Sequence, residues 1–183
     1  MHTFADSKRM SEEASRGLDW FAIYKRAFPA LAAIADNSAL GQHQWSGIDR
    51  TLVMESGKTV WVDEKVRGRS KGTGKVYEDI ALEVISNDRT GRPGWVTEPL
   101  LADYIAYAII PLGRCFLLPV LQLQEAWRRH GEAWTRRYRT RKARNSDRGY
   151  STIFVPVPVP VLFQAMGECL RVQLYDHEVS NAA

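Results

Sequence analysis

Cysteine is scarce in this chain: two residues, Cys115 and Cys169, stand far apart inside apolar runs. With neither a CxxC pair nor Cys/His spacing, they point to reduced, buried thiols rather than a disulfide framework or a metal site. The four histidines (His2, His43, His130 and His177) show no HExxH or HxH pair, which argues against a zinc hydrolase. There is no G-x-S-x-G elbow. The glycine-rich "GTGK" at 72–75 is followed by Val76 instead of Ser or Thr, which argues against an NTPase. No apolar run is long enough to span a bilayer, and the opening "MHTFADSKRMSEE" lacks the apolar segment of a signal peptide. Together these absences lead to the expectation of a cytoplasmic protein with no membrane contact.

What is present suits a single domain. The chain has 183 residues, 45% hydrophobic and 10% aromatic, enough to bury a proper core. Residues 1–10 read as a flexible tail. "SEEASRGLDWFAIYKRAFPALAAIAD" from Ser11 reads as helix, bent or divided at Gly17 and Pro29. "GIDRTLVMESGKTVWVDEK" (47–65) reads as a hairpin, and "YEDIALEVIS" as a third strand. "WVTEPLLADYIAYAII" has Leu100, Leu101, Tyr104, Ile105 and Ala108 at helical spacing, with Thr97 as a cap. A fourth strand, "RCFLLPV", an amphipathic helix, "LQLQEAWRRHGEAWTRRY", a strand from Tyr150 and a last helix from about Pro160 complete a mixed α/β order. The prolines at 156, 158 and 160 cannot donate to a ladder, so that piece belongs at an edge or in an extended segment.

The hairpin carries the chemistry. "ESG" at 55–57 fits a three-residue loop with Gly57 in the left-handed conformation. Residue 54 then pairs with 58, 52 with 60, 50 with 62 and 49 with 63. One face holds Ile48, Leu52, Met54, Val60 and Val62, a core face. The other holds Asp49, Thr51, Trp61, Asp63 and Lys65. Two opposed aspartates repel unless a positive charge lies between them, and Mg²⁺ (or Mn²⁺) suits hard carboxylate oxygens. A lysine beside such a metal helps orient or deprotonate a water. Two alternatives stand: a two-residue loop would shift the register and oppose Asp49 to Glu64, and the polar face can be a solvated one.

Asp49 after "GI", a hairpin, "VDEK" and a strand ending "LEVIS" together resemble the PD-(D/E)xK nuclease superfamily, over roughly residues 11–125. The resemblance implies a restriction-endonuclease-like mixed sheet, with an α-β-β-β-α-β core flanked by helices. Residues 126–183 would form a basic helix and a C-terminal strand/helix extension. By similarity Asp49 and Asp63 hold Mg²⁺ and Lys65 assists the attacking water, with Glu83 a further acid. Ile48 stands where that family has proline. The implied activity is metal-dependent hydrolysis of nucleic acid, DNA more than RNA; a stand-alone nuclease of this size would suit a phage or mobile-element setting. A homodimer would suit cutting both strands. Glu12, Glu13 and Asp19 are candidate first-helix acids, and Gln44 a candidate support.

Between Arg128 and Arg148 lie nine Lys or Arg against two acids, Glu132 and Asp147, with Trp127, Trp134 and Tyr138 interleaved. Trp127 and Trp134, seven apart, share a helix face and read as a core stripe. Such charge density is relieved by phosphate, and arginine favours bidentate contact. The expected nucleic-acid contacts are Arg67, Arg69, Lys71 and Lys75 in the loop after Lys65, and Arg136, Arg137, Arg139, Arg141, Lys142 and Arg144. Two other functions fit the same text: a non-catalytic nucleic-acid-binding or adaptor protein, and a protein-interaction module without salt-dependent DNA affinity.

Overall fold

The fold was analysed in a computed structural model that describes residues 17–37, 47–70, 73–145 and 149–170. These residues form an α/β arrangement with one mixed sheet, one antiparallel sheet and three α-helices. Helix α1 (Trp20–Ala27) starts at Asp19, whose Oδ1 accepts the Ala22 N–H at 2.9 Å. It stops before Pro29, which cannot continue the hydrogen-bond pattern. Beyond it the chain pairs instead of coiling: β1 (Leu31–Asp36) lies antiparallel to β2 (Arg50–Met54), which lies antiparallel to β3 (Thr59–Arg67). Residues 31–36, expected in the first helix, are therefore a strand. The proposed Ser11 cap, Glu12, Glu13 and Gln44 lie outside the described residues.

After β3 come β4 (Asp79–Asn87) and the short β5 (Arg92–Pro93), then β6 (Tyr104–Ile109), parallel to β3, and β7 (Arg114–Pro119), antiparallel to β6. This corrects the helix expected in "WVTEPLLADYIAYAII" (95–110). Its apolar residues sit at helical spacing, but "YIAYAI" is also a short continuous apolar run, and two neighbouring strands claim it. Thr97 caps no helix; its hydroxyl donates to Gly94 O and Val84 O and closes a turn. The first sheet thus runs β1-β2-β3-β6-β7.

The second sheet runs β5-β4-β9-β8, with β8 (Arg141–Asn145) and β9 (Tyr150–Pro158) joined to it from the far end of α2 (Val120–Tyr138). The strand "YEDIALEVIS" therefore belongs to a different sheet from the hairpin it follows. In β9 the prolines sit as their chemistry demands. Val159 donates its N–H to Glu78 O, so by alternation Val157 and Val155 point theirs toward β4. Pro156 and Pro158 turn their nitrogens the other way, beyond Arg141, where β8 begins opposite Phe154. Helix α3 (Val159–Cys169) follows directly.

The first sheet packs α1 on one face, through Leu52, Val62, Ala106 and Ala108 against Trp20 and Tyr24. On its other face Ile105, Tyr107 and Ile109 join Ile80, Leu82, Val155 and Val157 and the apolar sides of α2 and α3. Trp134 is buried there and Trp127 lies against it, the expected core stripe. Among the described residues no helix is long and apolar enough to cross a membrane.

Candidate active site

The hairpin forms with the expected loop and register. Gly57 takes a φ of 81° and donates to Met54 O, which only a residue without Cβ does at no steric cost. Arg50 pairs with Val62, Leu52 with Val60, and Met54 donates to Lys58 O. Strand alternation then puts Val60, Val62 and Val66 against α1, and Trp61, Asp63, Lys65 and Arg67 on the opposite face.

Asp49 precedes β2 in the chain but is fastened to β3. Its N–H donates to Val62 O at 2.9 Å, and its Oδ2 accepts the Glu64 N–H at 2.8 Å. Asp63 is 3% exposed. Lys65 reaches it along the same strand, Nζ to Oδ1 at 2.5 Å. Burial pushes the Asp63 carboxyl up to about 6; Lys65 opposes this and Asp49 adds to it. Burial pulls Lys65 down, but the carboxylates of Asp63, Asp49 and Glu83 together hold it above the ordinary lysine value. Glu83 arrives from β4. Burial lifts it to about 7, Lys65 opposing and Asp63 adding. The four residues singled out in the sequence therefore share one electrostatic neighbourhood, although Glu83 comes from the other sheet.

Two glycines make room for this. Gly47 has a φ of 66°, and a Cβ there would stand 3.0 Å from Leu100 Cδ2 and 3.9 Å from Asp63 Oδ2. Gly94, which donates to Val84 O, lies flat on Glu83: a Cβ would overlap the Glu83 carbonyl and stand 2.6 Å from its Cγ.

Beneath the site, on the α1 face, lies a second polar group that sequence reasoning missed. Glu64 Oε1 accepts from Tyr24 Oη at 2.9 Å and from Arg50 Nε at 3.1 Å, and Arg50 also reaches Asp36 at 2.8 Å. Burial lifts Glu64 to about 7 against the pull of Arg50 and Tyr24. The signal was available: an acid between Val62 and Val66 sits on the core face, where a carboxylate needs partners. Asp19 is taken up as the α1 cap. Asp103 precedes β6, and its Oδ2 accepts the Trp61 N–H at 2.8 Å.

A cleft of about 280 Å³ opens beside Lys65, walled by Arg67, Ala81, Trp95, Tyr107 and Phe154. A larger groove of about 600 Å³ runs along α2, past Thr97, Gln124 and Trp127, and holds neither carboxylate nor lysine of the trio.

The expected basic contacts are distributed unevenly. Arg67 is tied to Asp79, through both its carbonyl and its carboxylate. Arg69 reaches Gly74 O at 3.4 Å, Lys75 is exposed and Lys71 lies outside the described residues. On α2, Arg136 pairs with Glu132 and Arg137 stacks on Tyr138. Arg139 is exposed at a φ of 57°. Arg141, Lys142 and Arg144 project from β8, exposed, with Lys142 3.2 Å from Asp88. The two segments meet at Tyr77: Arg67 and Arg141 lie 5.9 and 5.7 Å from its ring centroid.

A divalent cation fits the donor set in part. Asp49 and Asp63 offer hard oxygens in mutual range, and Mg²⁺ takes one or two carboxylates with waters and substrate oxygens completing its shell. Among the described residues no group of three or more His, Cys, Asp or Glu is gathered closely enough to hold an ion. Any cation here would therefore rest on fewer than three such side chains of the described residues. No protein-family model matches the chain, and neither a curated protein nor a solved structure matches it significantly.

Proposed function

We propose that this protein is a metal-dependent nuclease of restriction-endonuclease-like fold. The observation that carries it is Asp63, buried and ion-paired to Lys65 on one strand face, with Asp49 fastened beside it by the β3 backbone. Helix α1 followed by the antiparallel β1-β2-β3 supports that fold reading; the helix expected in "WVTEPLLADYIAYAII" is instead strand β6, and the expected third strand, β4, lies in the other sheet. When bound, Mg²⁺ would supply Lewis acidity and a low-pKa water. Asp49 and Asp63 would hold the ion, Lys65 would orient the water and offset charge on the phosphoryl oxygens, and Glu83 would hold Lys65 in place. Arg141, Lys142 and Arg144 would contact the phosphate backbone.

The test is cleavage of labelled single- and double-stranded DNA with Mn²⁺ by the parent, Asp63→Ala and Lys65→Ala. Cutting by the parent that both variants lose by more than a hundredfold supports the reading. A second reading, nucleic-acid binding without chemistry, is favoured by the exposed cations Arg141, Lys142 and Arg144 of β8, which can hold phosphates without any reaction at Asp63. It predicts DNA binding with no cutting, unchanged in both variants.

A further inference from the structure

Trp61 stands two residues before Asp63 on β3, so both side chains leave the same face, with backbones about 6.6 Å apart. It joins neither hydrophobic cluster and is 40% exposed. Its neighbours leave part of it open. Across β2 it faces Thr51, whose hydroxyl is held by Asn37 Nδ2 at 2.7 Å. On the β6 side it faces Asp103, which takes its N–H and returns its own N–H to Trp61 O at 2.8 Å. That pair of hydrogen bonds fixes the Trp61 backbone while part of its side chain stays open to solvent. A partly exposed tryptophan on a fixed backbone is a flat apolar surface that a planar group can cover.

The site beside it indicates what does. Asp63 lies one two-residue step on and Lys65 two, and the basic residues of β8 lie past Arg67 and Tyr77. A nucleic-acid strand with its phosphates on that side would bring the base next to the reacting phosphate over the Trp61 ring. Inside a duplex, bases are paired and stacked on one another and present no free face. Resting on the nuclease reading above, we infer that Trp61 is a stacking platform for an unpaired base, and that the substrate is single-stranded nucleic acid or a single-stranded end. Stacking is tolerant of base identity, so little sequence preference follows.

Anisotropy titrations test this, with Ca²⁺ in place of Mg²⁺, a labelled oligothymidylate and a labelled blunt duplex, and the parent, Trp61→Ala and Trp61→Phe. The parent should prefer the single strand. Trp61→Ala should weaken single-strand binding about 5- to 100-fold and leave duplex binding unchanged, whereas Trp61→Phe keeps most of the affinity. Melting curves, expected to be nearly unchanged for an exposed side chain, confirm that both variants fold. Salt-dependent binding equal in parent and Trp61→Ala would overturn the platform and leave the nuclease reading intact. No salt-dependent binding of either probe by the parent would overturn both.

Discussion

The backbone N–H of Glu64 holds the carboxylate of Asp49 at 2.8 Å, so a residue that precedes one strand is positioned by its neighbour. Glu64 lies between Asp63 and Lys65. The two carboxylates and the lysine are thus all referred to a single rigid strand, and their spacing does not depend on a loop. Glu64 in turn is pinned on the opposite face by Tyr24 and Arg50.

Removing Lys65 should expose the electrostatic cost of burying Asp63. Lys65→Met is expected to lower stability by about 2 kcal/mol at neutral pH, below the usual loss for a fully buried pair because Lys65 keeps 32% side-chain exposure. Adding Asp63→Asn should recover most of that loss, because the uncompensated charge is then gone. Urea unfolding of the parent, the single variant and the double variant measures this coupling.

Gly94→Ala should disturb the site from outside it. The added methyl would overlap the Glu83 carbonyl, and backbone rather than a flexible side chain must yield. A loss of about 1–3 kcal/mol is expected, with Glu83 displaced from Lys65. Thermal melting reads the first effect, and the carboxyl resonance of Glu83 in a carbon-labelled sample reads the second.

Without divalent metal, stability should fall as pH rises from about 4 to about 7. Asp63, Glu83 and Glu64 are raised in the fold from their ordinary 3.8, 4.5 and 4.5 to about 6, 7 and 7. In that window the folded chain binds more protons than the unfolded one, so each pH step favours unfolding. The lowered groups, Asp88 and Glu125, act in the opposite sense but at more acid pH, Glu125 being held down to about 2 by Arg128 and Arg129. Urea titrations in EDTA should show the slope, and it should flatten in Glu83→Gln and in Glu64→Gln.

If β8 contacts phosphates, neutralising Arg141 or Arg144 should weaken binding to all DNA sequences alike. It should also reduce the slope of log K against log salt by about 1 per residue. Arg67→Gln should behave differently and lower stability, because its guanidinium already bonds Asp79.

The hairpin was legible because its turn is local. "ESG" with Gly57 fixes the register, and register fixes which side chains share a face, so Asp49, Asp63 and Lys65 could be grouped without coordinates. The strands at 31–36 and 104–109 were not legible. "LAAIAD" is alanine-rich and prefers helix by itself, and "YIAYAI" fits both periods; each becomes a strand through partners distant in sequence. The approach of Glu83 had the right residue but an unforeseen route, since it enters from a second sheet whose pairing with β9 spans some seventy residues. From the sequence Glu64 stands out only as a partner for Asp49 in the other register; its role on the apolar face depends on Tyr24 and Arg50, which are distant in sequence.

Direct metal binding tests the proposed centre most closely. Mn²⁺ titrated into the parent and followed by electron paramagnetic resonance should show a bound ion that Asp49→Asn and Asp63→Asn each weaken at least tenfold. Lys65→Met, which removes a competing positive charge, should retain it. Mn²⁺ that does not bind the parent, or that binds both asparagine variants as tightly as the parent, would contradict the account.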